Sequence, residues 1–323
     1  AQADEYYATY YAPQNLTAML VGDFDPKAAL ALAERYLGAI PAGTRPVPEM
    51  ITSEIPGVAE KRFYAEAETN PAVQVMWHTP AYVHKDTPAL EALAEVLNGP
   101  TGRLRKALVL GSGIATEARA TSGPRKYEGK FEIRAECKEG HAPEELERAV
   151  YAELEKLQQA PVTDAELQQV KNRYLADTYR QMGGGMMMLF RYVQAEGMGT
   201  WRDAERIDQE FAALTPADVQ RVAQRYFTKP NRTVAVWTRA AGAAPEDPAL
   251  AGLPAEAKGM AKQMLARIDG ATDPAKLQQM IERLDQMGAQ VPAEMKPALD
   301  LVRARAQAKI DALSKSGGTE ATR

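Results

Sequence analysis

Three histidines, one cysteine and a short glycine–methionine run are the residues of this 323-residue chain whose types first invite a chemical reading. A helix that aims two histidines at one metal ion carries them four positions apart, because residues i and i+4 share a face. His78, His84 and His141 offer no such pair. His78, directly after Trp77, therefore reads as a structural or surface residue. The single Cys137 excludes an internal disulfide and any multi-cysteine metal site, and with no histidine near it in sequence it reads as a plain packed or half-exposed thiol. Gly111-Ser112-Gly113 lacks the spacing of a G-x-S-x-G nucleophile turn and reads as a turn that ends a helix. Asp23, Asp25 and Asp164 stand at helix starts, where a carboxylate accepts from free backbone N–H groups. No catalytic, cofactor-binding or metal-ligating residue emerges.

Met182-Gly-Gly-Gly-Met-Met-Met188 is the unusual segment. Each glycine inside a helix costs about 1 kcal/mol relative to alanine, so the run predicts a helix break, used as a hinge or for close backbone approach. Met186 and Met187, flexible and polarizable, are candidates for a wall that touches a peptide.

The elements that must position these residues follow from periodicity. Leu16 to Val21 reads as a strand and Pro26 to Leu37 as a helix capped by Asp25. Pro41 to Pro56 carries four prolines and no period, as a linker does. Strands are predicted at Lys61 to Ala65, Val73 to Thr79, Ile114 to Thr121, Tyr127 to Cys137 and Thr233 to Trp237, the fourth with period-two alternation. Helices are predicted from Pro88, Gly102, Pro143, Asp164, Met186, Trp201 and Pro216, with Thr163 and Glu166 forming a capping box. Paired strands separated by runs of helices point to an α+β fold with an antiparallel sheet and helices packed on one face. Beyond Pro245, Pro254, Pro274 and Pro292 open three short helices of a helical tail, and Ser314 to Arg323 is expected to be disordered.

Composition excludes other classes. Acidic and basic residues are interspersed, with a formal net charge of −4, so no basic stripe invites nucleic acid. No apolar run approaches the ~20 residues that cross a bilayer. The start at Ala1 rather than Met places the natural start upstream in this reading.

One internal echo organises the rest. Tyr11-Ala-Pro-Gln-Asn-Leu-Thr17-Ala-Met-Leu-Val21 is similar to Tyr226-Phe-Thr-Lys-Pro-Asn-Arg-Thr233-Val-Ala-Val236, at a domain-sized separation. With Gly22-Asp-Phe-Asp-Pro26 after the first copy, Gly102-Arg-Leu-Arg-Lys-Ala-Leu-Val109 before Gly113-Ile-Ala115, Thr163 to Lys171 and Leu214 to Ala223, the order of blocks over residues 1–240 resembles the pitrilysin/insulinase family of zinc peptidases.

The resemblance implies tandem homologous α+β units. Residues 1–45 would be the end of a first unit, 46–56 a linker, 57–240 a second, non-catalytic unit, and 241–313 the tail. The family's H-x-x-E-H zinc helix is absent, so zinc is expected in a missing N-terminal unit or on a zinc-bearing partner chain. The chain would be the non-catalytic C-terminal portion of a zinc endopeptidase, enclosing a peptide substrate; the alternative is an inactive peptidase-like scaffold or partner subunit. Many relatives hold substrate with an Arg and a Tyr, and this sequence has Val109 and Thr116 at those positions, which leaves both as weak substrate-binding candidates. The family also implies a bacterial periplasm or cell envelope.

Overall fold

Trp77, Phe131 and Phe227 pack ring against ring at the centre of the sheet's inner face, with centroids 4.8 to 6.5 Å apart. They mark where the alternating strands of the sequence meet the helices. The computed structural model describes residues 2–49, 57–99, 101–240, 248–250, 253–271, 273–288 and 295–317. Its sheet has five strands in the order β1-β5-β2-β4-β3, with β1 Lys61–Ala67, β2 Ala72–Pro80, β3 Ala115–Gly123, β4 Glu128–Cys137 and β5 Arg232–Arg239.

The β2–β4, β2–β5 and β3–β4 pairs are antiparallel as expected, but β1 and β5 run parallel, so the sheet is mixed. Strands β2–β4 and the helices that follow lie between the two in sequence, and the chain re-enters the sheet beside β1 in the same direction. Val73, Val75, Phe131, Ile133, Val234 and Val236 face the buried side, where α3 Thr87–Leu97, α4 Pro143–Gln159 and α8 Pro216–Tyr226 cover them with leucine and valine. The intervening Glu117, Arg119, Glu132 and Arg134 form the other, polar face.

Helices α5 Asp164–Met182, α6 Gly185–Met198 and α7 Asp203–Ala213 extend the helical layer past the β3 edge. The glycine run does break the helix, at Gly183 and Gly184. A Cβ on Gly184 or Gly185 would meet nothing within 4 Å, so close backbone approach is not its purpose; what the glycines contribute is backbone freedom. The capping box at Thr163 forms only in part. Thr163 Oγ accepts from Glu166 N at 3.2 Å, but the Glu166 carboxylate is drawn to Arg103, which donates to it through Nε and Nη2 at 2.8 Å each. The predicted helix at Gly102 is partly π-wound, over Arg105–Gly111, and Gly113 leaves it at φ +67°, a conformation that favours glycine.

Residues 16–21 are extended but have no strand partner among the described residues, in contrast to the predicted strand; a strand needs a neighbour to satisfy its backbone. They lie between α1 Gln2–Tyr10 and α2 Pro26–Tyr36, whose N-cap Asp25 accepts from Lys27 N at 2.8 Å. Part of the proline-rich segment, 50–56, and Pro292 lie outside the described residues.

A second core forms in the tail, where α9 Ala255–Asp269, α10 Pro274–Gly288 and α11 Lys296–Gly317 bury Leu265, Ile268, Leu277, Ile281, Leu299 and Val302 against one another. Residues 314–317, expected to be disordered, continue α11; the remaining residues to 323 lie outside the described ones. The tail touches the sheet's polar face through Lys258 Nζ, 2.8 Å from Glu136 Oε2, with both side chains buried. Burial opposes the charge on Glu136, but Lys258 and Arg134 outweigh it and hold its pKa below the ordinary carboxylate value.

Candidate functional site

A concavity opens where α6 leans over the edge strand β3. It is a cleft of about 630 Å³ between α3, β3, α5, α6 and α7. Its position follows from the sequence of α3, whose residues are apolar and buried except for Glu91 and Glu95. Those two acids, one turn apart, mark the face that the sheet does not cover. Glu95 is paired with Arg173 at 3.3 Å. Glu91 makes no hydrogen bond within the described residues.

Beside Glu91, Asp208 and Arg191 are matched to each other. Asp208 of α7 accepts from Tyr174 OH at 2.8 Å and from Arg191 Nη2, while Arg191 also donates to the Ala204 carbonyl at 3.0 Å. Tyr174 stacks on Phe211 with centroids 3.8 Å apart, which fixes the hydroxyl. Burial therefore acts on Glu91 without an adjacent donor to offset it. It pushes the carboxyl up to about 7, Asp208 and Glu95 adding repulsion and Arg191 opposing. A carboxyl in that range changes charge near neutral pH.

The far wall is apolar. Met187, Phe190 and Met198 of α6 line the cleft, and Met186, Phe190 and Val193 continue outward as an exposed stripe at helical spacing. The β3 edge is blunted at one point: Asn98, the C-cap of α3, donates to the Ala120 carbonyl at 2.7 Å and accepts from Ala120 N at 2.8 Å. Just beyond it the backbone at Gly102 packs over the Asn98 carbonyl, where a Cβ would stand 2.0 Å from the oxygen.

Of the four sequence candidates, Met187 lines this cleft and Met186 lies beside it, 64% exposed. Val109 and Thr116 are elsewhere. Val109 packs half-buried against the core, and Thr116 occupies the bulge between Ala115 and Glu117, its hydroxyl buried with no partner. Glu91, Arg191 and Asp208 were missed. The signal available was the pair of acids on an otherwise apolar helix.

The three histidines lie on different elements, His78 on β2, His84 in the turn before α3, and His141 beside Glu145 at 2.9 Å at the start of α4. Among the described residues no group of three or more His, Cys, Asp or Glu is placed to hold a metal ion. The donor set of the described residues does not fit zinc.

Residues 1–174, more than half of the chain, match the model of the peptidase M16 inactive domain. The chain belongs to the peptidase M16 family. This agrees with the pitrilysin-type blocks read from the sequence. The M16 chain is also similar to the zinc protease PqqE of Helicobacter pylori, 24% identical over 233 residues, which are 71% of this chain and 52% of that protein. It thus spans about half the length of the curated relative it matches. Among solved structures it resembles a protease from Helicobacter pylori, with TM-score 0.69 and 22% identity over 73% of this chain and 58% of that one. It also resembles the first half of the periplasmic protease PqqL from Escherichia coli, with TM-score 0.60 and 17% identity over 73% and 54% of the two chains. At these identities the two structures speak for the M16 fold alone.

Proposed function

We propose that this chain is the non-catalytic carboxy-terminal portion of a zinc-dependent endopeptidase and forms one wall of a chamber that encloses a peptide. One observation carries this reading: residues matching the inactive domain fold as an M16 unit, yet the histidines are too dispersed to hold the metal. Zinc would sit in a separate unit bearing the H-x-x-E-H helix and would there activate the attacking water.

Residues 57–240 are read as one peptidase-like unit and residues 1–45 as the end of another. Support comes from unpartnered apolar surface: Tyr6, Tyr7, Leu16, Leu20, Leu30 and Tyr36 are all more than half exposed. The echo between Tyr11–Val21 and Tyr226–Val236 adds the geometry. The second copy leads from α8 into β5, an inner strand between β1 and β2; the first leads from α1 into the unpaired residues 16–21. Those residues are read as the equivalent inner strand of the other unit's sheet. Similarity to PqqL, described as periplasmic, supports a place in the bacterial envelope. Among the described residues no helix is long and apolar enough to cross a membrane.

Reconstitution tests the reading. The chain alone, supplied with zinc, is expected to leave an internally quenched peptide intact. Mixed or co-expressed with the unit that bears the zinc helix, it should co-purify and the pair should hydrolyse the peptide, with a chelator abolishing the activity. Co-purification without hydrolysis would favour the scaffold reading, and hydrolysis by this chain alone would overturn both.

A further inference from the structure

The cleft under α6 has three features that no feature of the core explains. First, it holds a carboxylate that the fold leaves without a donor. Glu91 is half-buried and unpaired, whereas the neighbouring acids are paired: Glu95 has Arg173, and Asp208 has Tyr174 and Arg191. Glu91 has no such donor among the described residues. Second, the walls beside it are short or flexible and apolar, Ala94 and Ala195 near the floor and Met187, Phe190 and Met198 above. Such walls accept a methylene chain and cover it from water. Third, α6 is bounded by Gly183–Gly185 at one end and by Gly197 and Gly199 at the other, and Gly184, Gly185 and Gly197 are free of any packing need for glycine.

A carboxylate at the end of an apolar slot selects a cation on a flexible hydrocarbon stem. A single carboxylate serves either basic side chain, accepting an ammonium as a point charge or a guanidinium through its two oxygens. The amides of Gln181 and Gln194 and the hydroxyl of Ser122, all lining the same cleft, offer bonds to a peptide backbone. We propose that this cleft binds the basic side chain, lysine or arginine, of an extended peptide, with Glu91 as its counter-ion and the Met187–Phe190 wall as the seat of an adjacent apolar residue. The inference rests on the peptide-chamber reading only for the peptide that bears the basic side chain. It concerns the helical side of the sheet, needs no zinc, and is measured without hydrolysis, so either idea can fail alone.

The charge on Glu91 sets the pH dependence. The titratable and charged groups packed around it are Glu95 from α3, Tyr82 before it, Tyr174 from α5, Arg191 from α6, Asp208 from α7 and Arg119 from β3. Of these only Glu91 has its carboxyl pushed up to about 7. Lysine and arginine stay protonated throughout, so affinity should rise as Glu91 ionises.

The experiment is titration of the purified chain by calorimetry or fluorescence with the probe acetyl-Ala-Lys-Phe-Ala-amide, its norleucine analogue, and n-butylammonium. With Glu91 titrating at about 7, raising the pH from about 6 to about 8 should tighten lysine-peptide binding about tenfold. The norleucine peptide should bind about tenfold more weakly at the higher pH and show no such dependence, a difference of about 1.4 kcal/mol. Glu91→Gln should abolish the pH dependence, and Phe190→Ala, at an exposed position that the fold does not need, should weaken binding of the phenylalanine-containing probe while leaving the pH profile in place. Equal binding of the lysine and norleucine peptides by the wild-type chain would overturn the proposal, whether or not either variant folds. So would a pH profile that survives Glu91→Gln. Binding of n-butylammonium as tightly as the peptide would overturn the assignment to a peptide.

Discussion

Replacing Asp86 by alanine should cost this chain a large part of its stability at neutral pH and little in acid. Asp86 is fully buried in the turn that starts α3, and its carboxylate accepts from Tyr226 OH at 2.8 Å, Arg221 Nη1 at 2.7 Å and Arg225 Nη1 at 3.2 Å, all on α8. It thereby ties the start of α3 to α8 through bonds that span 135 to 140 residues of sequence. The buried tyrosine bond to a charged acceptor is worth about 1.5–3 kcal/mol, and the arginines, 44% and 55% exposed, add only a few tenths to one each after screening. The expected loss is about 2–4 kcal/mol. Burial disfavours the Asp86 anion, but the bonds from Tyr226 and Arg221 outweigh burial and hold its pKa below the ordinary value. A carboxylate with a depressed native pKa stabilises the fold above the unfolded-state pKa, and that stabilisation is lost as pH falls through the native one. The variant's deficit should therefore be full near pH 7 and shrink below about pH 4. Urea unfolding followed by the fluorescence of the buried Trp77 cluster measures it. A deficit below about 1 kcal/mol near pH 7, or one equally large near pH 3, would refute the reasoning.

Further expectations concern the sheet, its edge and its cleft. Burial pushes the Cys137 thiol up to about 12, with Glu144, Glu145 and Glu136 adding to the effect, so the native protein should resist a thiol reagent near pH 8 and react fully once unfolded. Asn98→Ala should cost about 1–2 kcal/mol and speed hydrogen exchange at the Ala120 amide, because both backbone groups it covers lose their partner. Lys258→Met should destabilise the tail's seat by about 2 kcal/mol or more and hasten proteolytic release of α9–α11, since Glu136 is left buried beside Arg134 alone; unchanged release would show that the pair does not hold the tail. Glu91 is an acid whose native pKa is raised, so its ionisation destabilises the fold as pH climbs from the unfolded value toward about 7; Glu91→Gln should raise Tm near pH 8 and leave it unchanged near pH 4.

The elements of the fold were readable because their causes are local. Pro143, Asp164 and Pro216 mark helix starts within a residue of where α4, α5 and α8 begin, and the alternation of Phe131, Ile133 and Ala135 places β4 and its buried face. The same locality made the missing zinc helix visible, because two histidines and a glutamate on one helical turn are a pattern of spacing. Resemblance of ordered blocks then supplied the family, which the inactive-domain match bears out.

Non-local contacts were out of reach. Nothing near Lys61 announces that β1 pairs parallel with β5, since that register is set by the hundred and more residues that pack between them. Thr163 and Glu166 have capping-box spacing, yet Arg103 from another element captures the glutamate because a bidentate ion pair is stronger than one bond to a backbone amide. Leu16–Val21 is strand-like by composition, but composition cannot provide a neighbouring strand. Sequence shows Glu91 as one acid on an apolar helix; that Asp208, Arg191 and Tyr174 satisfy one another around it and leave its carboxylate without a donor among the described residues was decided only when α3, α5, α6 and α7 came together, because hydrogen-bond satisfaction and dielectric environment are properties of the packed chain.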